Sequence, residues 1–144
     1  MKSIVLKKTL ITSQETQMIN ITDIVHQSVE SSGIQSGTVF VLSMHTTTGL
    51  TVNEGLPDLE RDITAFLNKI VKDLDNYHHA RFLHEDGEMA INAPSHIRGA
   101  LLGFEAYFPI DNGKIVCGGR QTVYFVELDG PQERSYVIHI TGME

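Results

Sequence analysis

The chain has 144 residues, 41% of them hydrophobic and 20% charged, so it is long enough to bury a core without disulfides or structural metals. Its formal net charge of -7 argues against a broad nucleic-acid interface, which requires a basic surface, but allows one small anion pocket. One cysteine excludes an intramolecular disulfide, and no apolar run approaches membrane-spanning length. Since no signal peptide is recognisable either, we expect one cytoplasmic domain over 1–144 that binds neither nucleic acid nor membrane.

In the first half of the chain, hydrophobic spacing predicts strands that alternate with two helices. The predicted strands are Ser3–Thr12, Gly37–Met44 and Leu50–Asn53. A first helix is expected from Thr22, which would cap it, to Gly33. A second begins at Pro57 and carries apolar residues at helical spacing as far as Leu74. The stretch from Asp73 to Glu88 reads as a loop with at most a short strand.

The second half predicts one helix followed by four strands. The helix begins at Asn92 or Ala93 and ends at Gly103. The strands are Phe104–Ile110, Lys114–Cys117, Arg120–Leu128 and Ser135–Thr141, with a hairpin turn at Asp111-Asn112-Gly113 and a bend at Gly118-Gly119. This order of elements indicates an α+β fold, with helices packed on a mixed, mainly antiparallel sheet.

A polar stretch, His45-Thr46-Thr47-Thr48-Gly49, interrupts the apolar strand pattern at its end. Gly49 would permit a backbone turn there. One imidazole and three hydroxyls offer many hydrogen-bond donors, which suits a phosphate or another polar small molecule. Threonines that cap their own turn are the alternative interpretation.

Seven histidines are present, but no compact zinc motif. Three of them stand out by their places in the predicted elements: His45 at a strand end, His84 in a loop and His96 at a helix start. Together they would form a metal site with an open position. Taken singly, each is more typical of a surface or hydrogen-bonding residue.

Other polar side chains stand beside predicted element ends. Ser95 and His96 lie at a helix start, which attracts anions, although simple capping by Asn92 and Ser95 is the alternative. Glu54, with Asn53, would orient a histidine or act as a base, or would only satisfy a helix dipole. Arg120 and Arg134 would form an anion pocket, or remain solvated charges.

These features coincide, in order and spacing, with a known family. The matching segments are His45-Thr46-Thr47-Thr48-Gly49-Leu50, Val52-Asn53-Glu54, Pro57-Asp58-Leu59 with Arg61-Asp62, His84, Asn92-Ala93-Pro94-Ser95-His96, Leu101-Leu102-Gly103, Gln121 and Asp129-Gly130-Pro131. On these residues the chain resembles the YjbQ-like family, which has a secondary thiamine-phosphate synthase activity. Two positions depart from the family pattern. Arg120 stands where the family has tryptophan, and Gln132 where it has arginine.

The resemblance implies a homotrimer with pockets near the subunit boundaries. It also implies a transferase that joins an aminopyrimidine-methyl diphosphate to a thiazole phosphate and releases diphosphate. The candidate catalytic residues are His45, Glu54 and His96. The candidate substrate contacts are Thr46, Thr47, Asn53, Ser95, Gln121 and Arg134, and a divalent metal, Mg²⁺ or Zn²⁺, would be held by His45, His84 and His96.

Two other functions stay open at this point. The three histidines would also suit a metal-dependent hydrolase or lyase that acts on another phosphorylated small molecule. The acidic composition and the lack of a recognisable nucleophile allow a non-catalytic trimer that binds a small molecule.

Overall fold

The structure, a computed structural model, describes residues 1–79, 82–83, 88–89 and 91–144. The helices are α1 (Thr22–Ser32), α2 (Pro57–Ile70) and α3 (Ala93–Leu102). The strands are β1 (Lys2–Ile11), β2 (Gln17–Asn20), β3 (Ser36–Ser43), β4 (Thr48–Glu54), β5 (Phe82–Leu83), β6 (Glu88–Met89), β7 (Glu105–Asp111), β8 (Lys114–Ile115), β9 (Gln121–Glu127) and β10 (Glu133–Met143). Within these ranges, no helix combines the length and apolar character needed to cross a membrane.

The strands form two larger sheets and one small hairpin. The first sheet has the order β1-β10-β3-β7-β8, the second has the order β2-β9-β4, and β5 pairs with β6. Every strand pair among the described residues is antiparallel. The α+β prediction is confirmed, and the strands divide between two facing sheets rather than joining one.

The main core lies between the two sheets and is closed by α1. Its buried side chains include Val41 and Ile138 from the five-stranded sheet, Phe125 from the three-stranded sheet and Val25 from α1. Strand β9 is buried on both faces, because Tyr124 and Val126 belong to a second apolar cluster on its far side. This double burial explains the nearly continuous apolar run in β9.

Some predicted element ends are wrong. Helix α2 ends at Ile70 and not near Leu74, because Val71 adopts an extended conformation and Leu74 is 91% exposed. Thr22 does not cap α1; its hydroxyl accepts a hydrogen bond from the N–H of Val123 at 2.9 Å. The Asp111-Asn112-Gly113 hairpin is confirmed, since Asn112 has a φ of 49° and Gly113 one of 74°.

The outer face of the five-stranded sheet carries a row of large side chains. Val5, His139, Phe40 and Tyr107 are successive register partners across β1, β10, β3 and β7. The rings of Phe40 and His139 stack at 5.9 Å, and those of Phe40 and Tyr107 lie 6.1 Å apart. Val5 is 65% exposed and Tyr107 is 64% exposed, so this face is largely open in the single chain.

Candidate functional site

The polar stretch His45–Thr48 covers most of the connection from β3 to β4 and the first residue of β4. Ser43 Oγ and Thr48 Oγ1 lie 2.5 Å apart, and the Thr48 hydroxyl also donates to the carbonyl of His45 at 3.3 Å. The N–H of His45 donates to Ser43 Oγ at 3.3 Å. The connection is therefore held by its own hydroxyls, as the capping interpretation predicts. Thr46 nevertheless remains exposed.

The ring of His45 is fixed by one backbone hydrogen bond. The N–H of Ser135 donates to Nε2 of His45 at 2.9 Å. Nε2 must therefore present a lone pair, which leaves the proton of the neutral ring on Nδ1. Burial, and next the positive charge of Arg134, lower the pKa of His45 below its ordinary value, against the opposing charge of Glu127. The environment thus favours the neutral ring.

Behind this connection, Arg134 and Glu127 form a buried ion pair. Glu127 is 0% exposed and Arg134 is 3% exposed. Arg134 Nε donates to Glu127 Oε2 at 2.7 Å, and Nη2 donates to Oε1 at 2.6 Å. Nη2 also donates to Thr47 Oγ1 at 2.8 Å. Since Glu127 belongs to β9 and Arg134 to β10, the pair joins the two sheets at the polar connection.

The carboxylate of Glu127 has further donors. It accepts hydrogen bonds from the Thr12 hydroxyl at 2.9 Å and from the N–H groups of Leu128 and Asp129 at 3.0 and 2.9 Å. Burial alone would raise the pKa of Glu127, but hydrogen bonds from Arg134, Asp129 and Thr12 outweigh it and hold the pKa below its ordinary value. The charge of Arg134 is therefore already balanced within the fold. As a substrate contact, Arg134 stays a prediction.

Helix α3 packs closely on the polar connection through two glycines. A Cβ at Gly99 would lie 2.8 Å from the carbonyl oxygen of Thr48 and 3.2 Å from that of Thr46. A Cβ at Gly49 would lie 2.7 Å from Cβ of Leu102. The prediction that Gly49 permits a turn is wrong, because Gly49 lies inside β4 without a positive φ. Glycine is required there for space.

The start of α3 is fastened to the end of β9. Ser95 Oγ donates to the carbonyl of Leu128 at 2.6 Å, and Asn92 Nδ2 donates to Asp129 Oδ2 at 2.9 Å. Neither side chain caps the helix, so the capping alternative for Asn92 and Ser95 is wrong. Ser95 is 6% exposed and stays a predicted substrate contact.

An open cavity of about 510 Å³ lies between the polar connection and α3. Its lining combines two imidazoles, three hydroxyls and apolar side chains: His45, His96, Ser43, Thr46, Thr48, Met44, Ala100 and Phe104. His45, Thr46 and His96 are thus brought together, as the sequence predicts for a ligand site. A second open cavity of about 480 Å³ shares His96 and is lined by Tyr77, His79 and Ile97.

The described residues of the predicted metal site do not suit an ion, and the site as a whole stays a prediction. His84 lies outside the described residues. In the rest of the chain, no three side chains of His, Cys, Asp or Glu lie close enough together to hold an ion. The Nε2 lone pair of His45 is occupied by Ser135, and its Nδ1 bears the proton. His45 in this arrangement has no nitrogen to offer a metal.

The opposite end of β4 carries Asn53 and Glu54, and Gln121 of β9 is the register partner of Glu54. This strand spans seven residues, so at about 3.3 Å per residue its ends are roughly 20 Å apart. Within one chain, Glu54 and Asn53 therefore cannot orient His45, which corrects that prediction. Glu54 Oε1 instead accepts a hydrogen bond from Arg120 Nη1 at 3.1 Å, and Gln121 Oε1 accepts one from the N–H of Gly118 at 2.7 Å.

Comparison with known proteins decides the family. The family model described as UPF0047 protein YjbQ-like matches residues 7–143. The chain belongs to the YjbQ-like family. A UPF0047 protein of Archaeoglobus fulgidus is 37% identical over 130 residues, which cover 90% of this chain and 95% of that relative. The UPF0047 protein YugU of Bacillus subtilis is 30% identical, with 91% of this chain and 94% of the relative covered.

Solved structures of the YjbQ-like family share this fold. A YbjQ-like protein of unknown function from Sulfolobus solfataricus superposes with a TM-score of 0.89 at 31% identity, covering 98% of each chain. An uncharacterised YjbQ/UPF0047 protein from Clostridium acetobutylicum gives a TM-score of 0.83 at 36% identity, covering 94% of this chain and 99% of that one. The predicted family is therefore confirmed.

Sequence reasoning did not identify Glu127 or Thr12. Glu127 follows the apolar run of β9, so it resembles a polar residue at a strand end. The Asp129-Gly130-Pro131 turn indicates only that the chain returns toward Arg134. The sequence does not show that Glu127 is buried, which is the reason it requires a charged partner.

Proposed function

We propose that this YjbQ-like protein is a transferase of the thiamine-phosphate synthase type. It would join an aminopyrimidine-methyl diphosphate to a thiazole phosphate with release of diphosphate. The observation that carries the proposal is a cavity lined by His45, Thr46 and His96. These three residues belong to sequence segments that the chain shares with the YjbQ-like family. A volume of about 510 Å³ accommodates a small phosphorylated heterocycle.

In the proposed reaction, the thiazole nitrogen attacks the methylene carbon of the pyrimidine substrate. A carbon–nitrogen bond forms as the carbon–oxygen bond to diphosphate breaks, and the electron pair leaves with the diphosphate. The main task of the protein is to place both substrates and to stabilise the leaving charge with fixed donors. Thr46, which is exposed, and the Nδ1–H of His45 are the donors of this chain that suit that task.

The transferase is further proposed to act as a homotrimer whose site includes residues of two subunits. The two ends of β4, near His45 and at Glu54, are about 20 Å apart. Residues at these two ends can therefore contact one ligand only if they come from neighbouring subunits. The open row from Val5 to Tyr107 supports association, because large apolar faces are usually covered. The Glu54 end would contribute Arg120, whose side chain is 86% exposed, as a cation for the diphosphate.

The direct test is an assay for thiamine phosphate with the purified protein and both precursors, with Mg²⁺ and separately with a chelator. We expect product from the wild-type protein and a loss of about tenfold or more for His45→Gln. His26→Gln, on helix α1 and outside the lining of the cavity, is the matched control and should retain activity. No product under any condition, together with no rescue of a strain that lacks its usual synthase, would refute the transferase.

Subunit mixing tests the shared site separately. His45→Gln and Glu54→Gln proteins, each with little activity, are dissociated together and allowed to reassemble. A shared site predicts recovered activity, because some boundaries then combine an intact His45 with an intact Glu54. If the mixture stays as inactive as its parts although the subunits have exchanged, the site lies within one chain.

The metal-dependent hydrolase is the less favoured alternative. It requires a nitrogen lone pair from His45, and Ser135 occupies the one that is available. Metal analysis of the purified protein, with wild type compared to His96→Ala, tests it directly. A bound transition metal that is lost in the variant would favour this alternative.

A further inference from the structure

We infer that the Glu127–Arg134 pair positions His45 in its Nδ1–H tautomer, so that this ring binds an anionic ligand group as a neutral hydrogen-bond donor. Glu127 and Arg134 are thus positioning residues that act through His45. The inference rests on the proposed function only in treating the His45 cavity as the site of an anionic ligand.

The first step is the rigidity of Arg134. Its Nε and Nη2 make two hydrogen bonds to Glu127 and one to Thr47 Oγ1, all between 2.6 and 2.8 Å. Glu127 is itself held by Thr12 and by two backbone N–H groups. A side chain with so many partners fixes its own backbone, and Ser135 is the next residue along β10.

Ser135 links the fixed backbone at Arg134 to the ring of His45. Its N–H donates to His45 Nε2 at 2.9 Å, and a backbone N–H has no alternative role as an acceptor. The hydrogen bond made by one ring nitrogen decides which nitrogen carries the proton. The Nδ1–H tautomer of His45 therefore follows from an unambiguous backbone donor.

The other nitrogen is left for a ligand. Among the described residues, His45 Nδ1 has no hydrogen-bond partner, and it is not one of the buried atoms left unsatisfied there. His45 lines the cavity together with Thr46 and His96. A donor in this position suits a phosphate oxygen.

The direction of the Ser135 hydrogen bond is opposite to that of a metal ligand. A histidine that binds a metal usually donates its second ring N–H to a carboxylate, a carbonyl or a water. His45 instead accepts a hydrogen bond at its second nitrogen. Coordination through Nδ1 would demand that its proton leave the ring, which gives an imidazolate, or move to Nε2, which breaks the hydrogen bond from Ser135. The arrangement selects an anion and disfavours a cation at this ring.

The test is nuclear magnetic resonance of protein labelled with ¹⁵N in its histidine rings, near pH 8, with His45 assigned by its absence in His45→Gln. Correlations between ring nitrogens and carbon-bound protons distinguish the tautomers. We expect one Nδ1–H tautomer in wild type. Zn²⁺ at one equivalent should leave both His45 nitrogens unshifted. A mixture of tautomers, or a zinc-induced shift at Nδ1, would overturn the inference.

Two variants examine the positioning pair. Arg134→Lys keeps the positive charge but loses the two parallel hydrogen bonds that the guanidinium makes to Glu127. We expect this variant to give mixed tautomers at His45. Because this buried change could prevent folding, Thr47→Val provides a milder break, since it removes only the hydroxyl that accepts from Arg134. Thr46→Val, the same change at the exposed neighbour, is the matched control and should retain the single tautomer. Equal spectra for all the folded variants would refute the positioning role.

Ligand binding is measured with inorganic diphosphate under metal-free conditions. The amide nitrogen of asparagine is attached to Cγ, as Nδ1 is, whereas that of glutamine lies one bond farther out. His45→Asn should therefore keep diphosphate affinity within about threefold, and His45→Gln should lose about tenfold or more. Equal losses in both variants would contradict the donor role. These readouts need no turnover, so an inactive protein with the expected spectra and binding would remove the transferase alone.

Discussion

The two ends of β4 carry similar residues in opposite surroundings. At the first end, Thr47 and Thr48 are 6% and 2% exposed and lie against a buried ion pair. At the second end, Asn53 is exposed, and Glu54 meets an Arg120 side chain that is 86% exposed. At each end an arginine and a glutamate lie within hydrogen-bond distance of each other. They differ in burial: the buried Arg134–Glu127 pair holds the two sheets together, whereas the exposed Arg120–Glu54 pair remains available to solvent or a partner.

The largest expected difference between the two ends concerns removal of the arginine. Arg134→Met should lower the free energy of unfolding by about 3–5 kcal/mol, because it leaves the buried Glu127 carboxylate without its counter-ion. Arg120→Met should change it by less than about 1 kcal/mol, since that pair is exposed. Urea unfolding at one fixed protein concentration measures both. Similar losses at the two ends would contradict the comparison.

The second prediction concerns glycines near each end. Gly99→Ala should destabilise by about 1–3 kcal/mol, because the added Cβ meets the carbonyl oxygens of Thr46 and Thr48. Gly119→Ala, near the second end, has nothing within 4 Å of its Cβ and should stay within about 0.5 kcal/mol. Thermal unfolding of both variants checks this prediction. A neutral Gly99→Ala would mean that α3 readily moves away from the polar connection.

The third prediction is a pH dependence at the first end. The pKa of His45 in the folded protein lies below its ordinary value of 6.5, so the unfolded chain binds more protons between these two pKa values. Stability should fall as pH decreases through this window. His45→Asn should therefore lose less stability than wild type between about pH 7.5 and about pH 5.5 in urea unfolding. Equal declines in the two proteins would count against the lowered pKa.

The smallest expected effect is the coupling between Arg120 and Glu54. A double-mutant cycle with Arg120→Gln and Glu54→Gln should give less than about 1 kcal/mol, because the pair is exposed. The coupling should decrease further in about 1 M salt, where the Debye length is near 3 Å. A coupling that is large and insensitive to salt would show that a neighbouring subunit buries this end.

Much of the fold was predictable because its signals are local. The helical spacing from Pro57, the Asn-Gly hairpin and the alternating strands each depend on a few neighbouring residues. The meeting of His45 with His96 was proposed because one lies at a predicted strand end and the other at a predicted helix start, and the family resemblance then implied the same two residues. Neither periodicity nor spacing brings these two residues together, since they are separated by α2 and by the loop that follows it.

The remaining features depend on partners that are distant in the sequence. The sequence suggested that β4 covers Leu50–Asn53 and that Glu54 follows it; the real strand begins at Thr48 and ends at Glu54. Glu127 resembles an ordinary polar residue at a strand end, and only the packing of the five-stranded sheet against the three-stranded sheet brings Arg134 into contact with it. Burial of a charge is a property of two facing sheets, and no local pattern encodes it.

The Glu127–Arg134 pair also has a consequence for folding fidelity. Strand β9 is largely apolar and pairs with strands on both sides, so hydrophobicity alone would tolerate a shifted alignment. A slip by one residue would bring Val126 or Leu128 opposite the Arg134 guanidinium and leave that cation enclosed without an anion. Burying the unpaired guanidinium would raise the free energy of such misaligned states. One carboxylate at the end of an apolar strand therefore favours the correct alignment of β9.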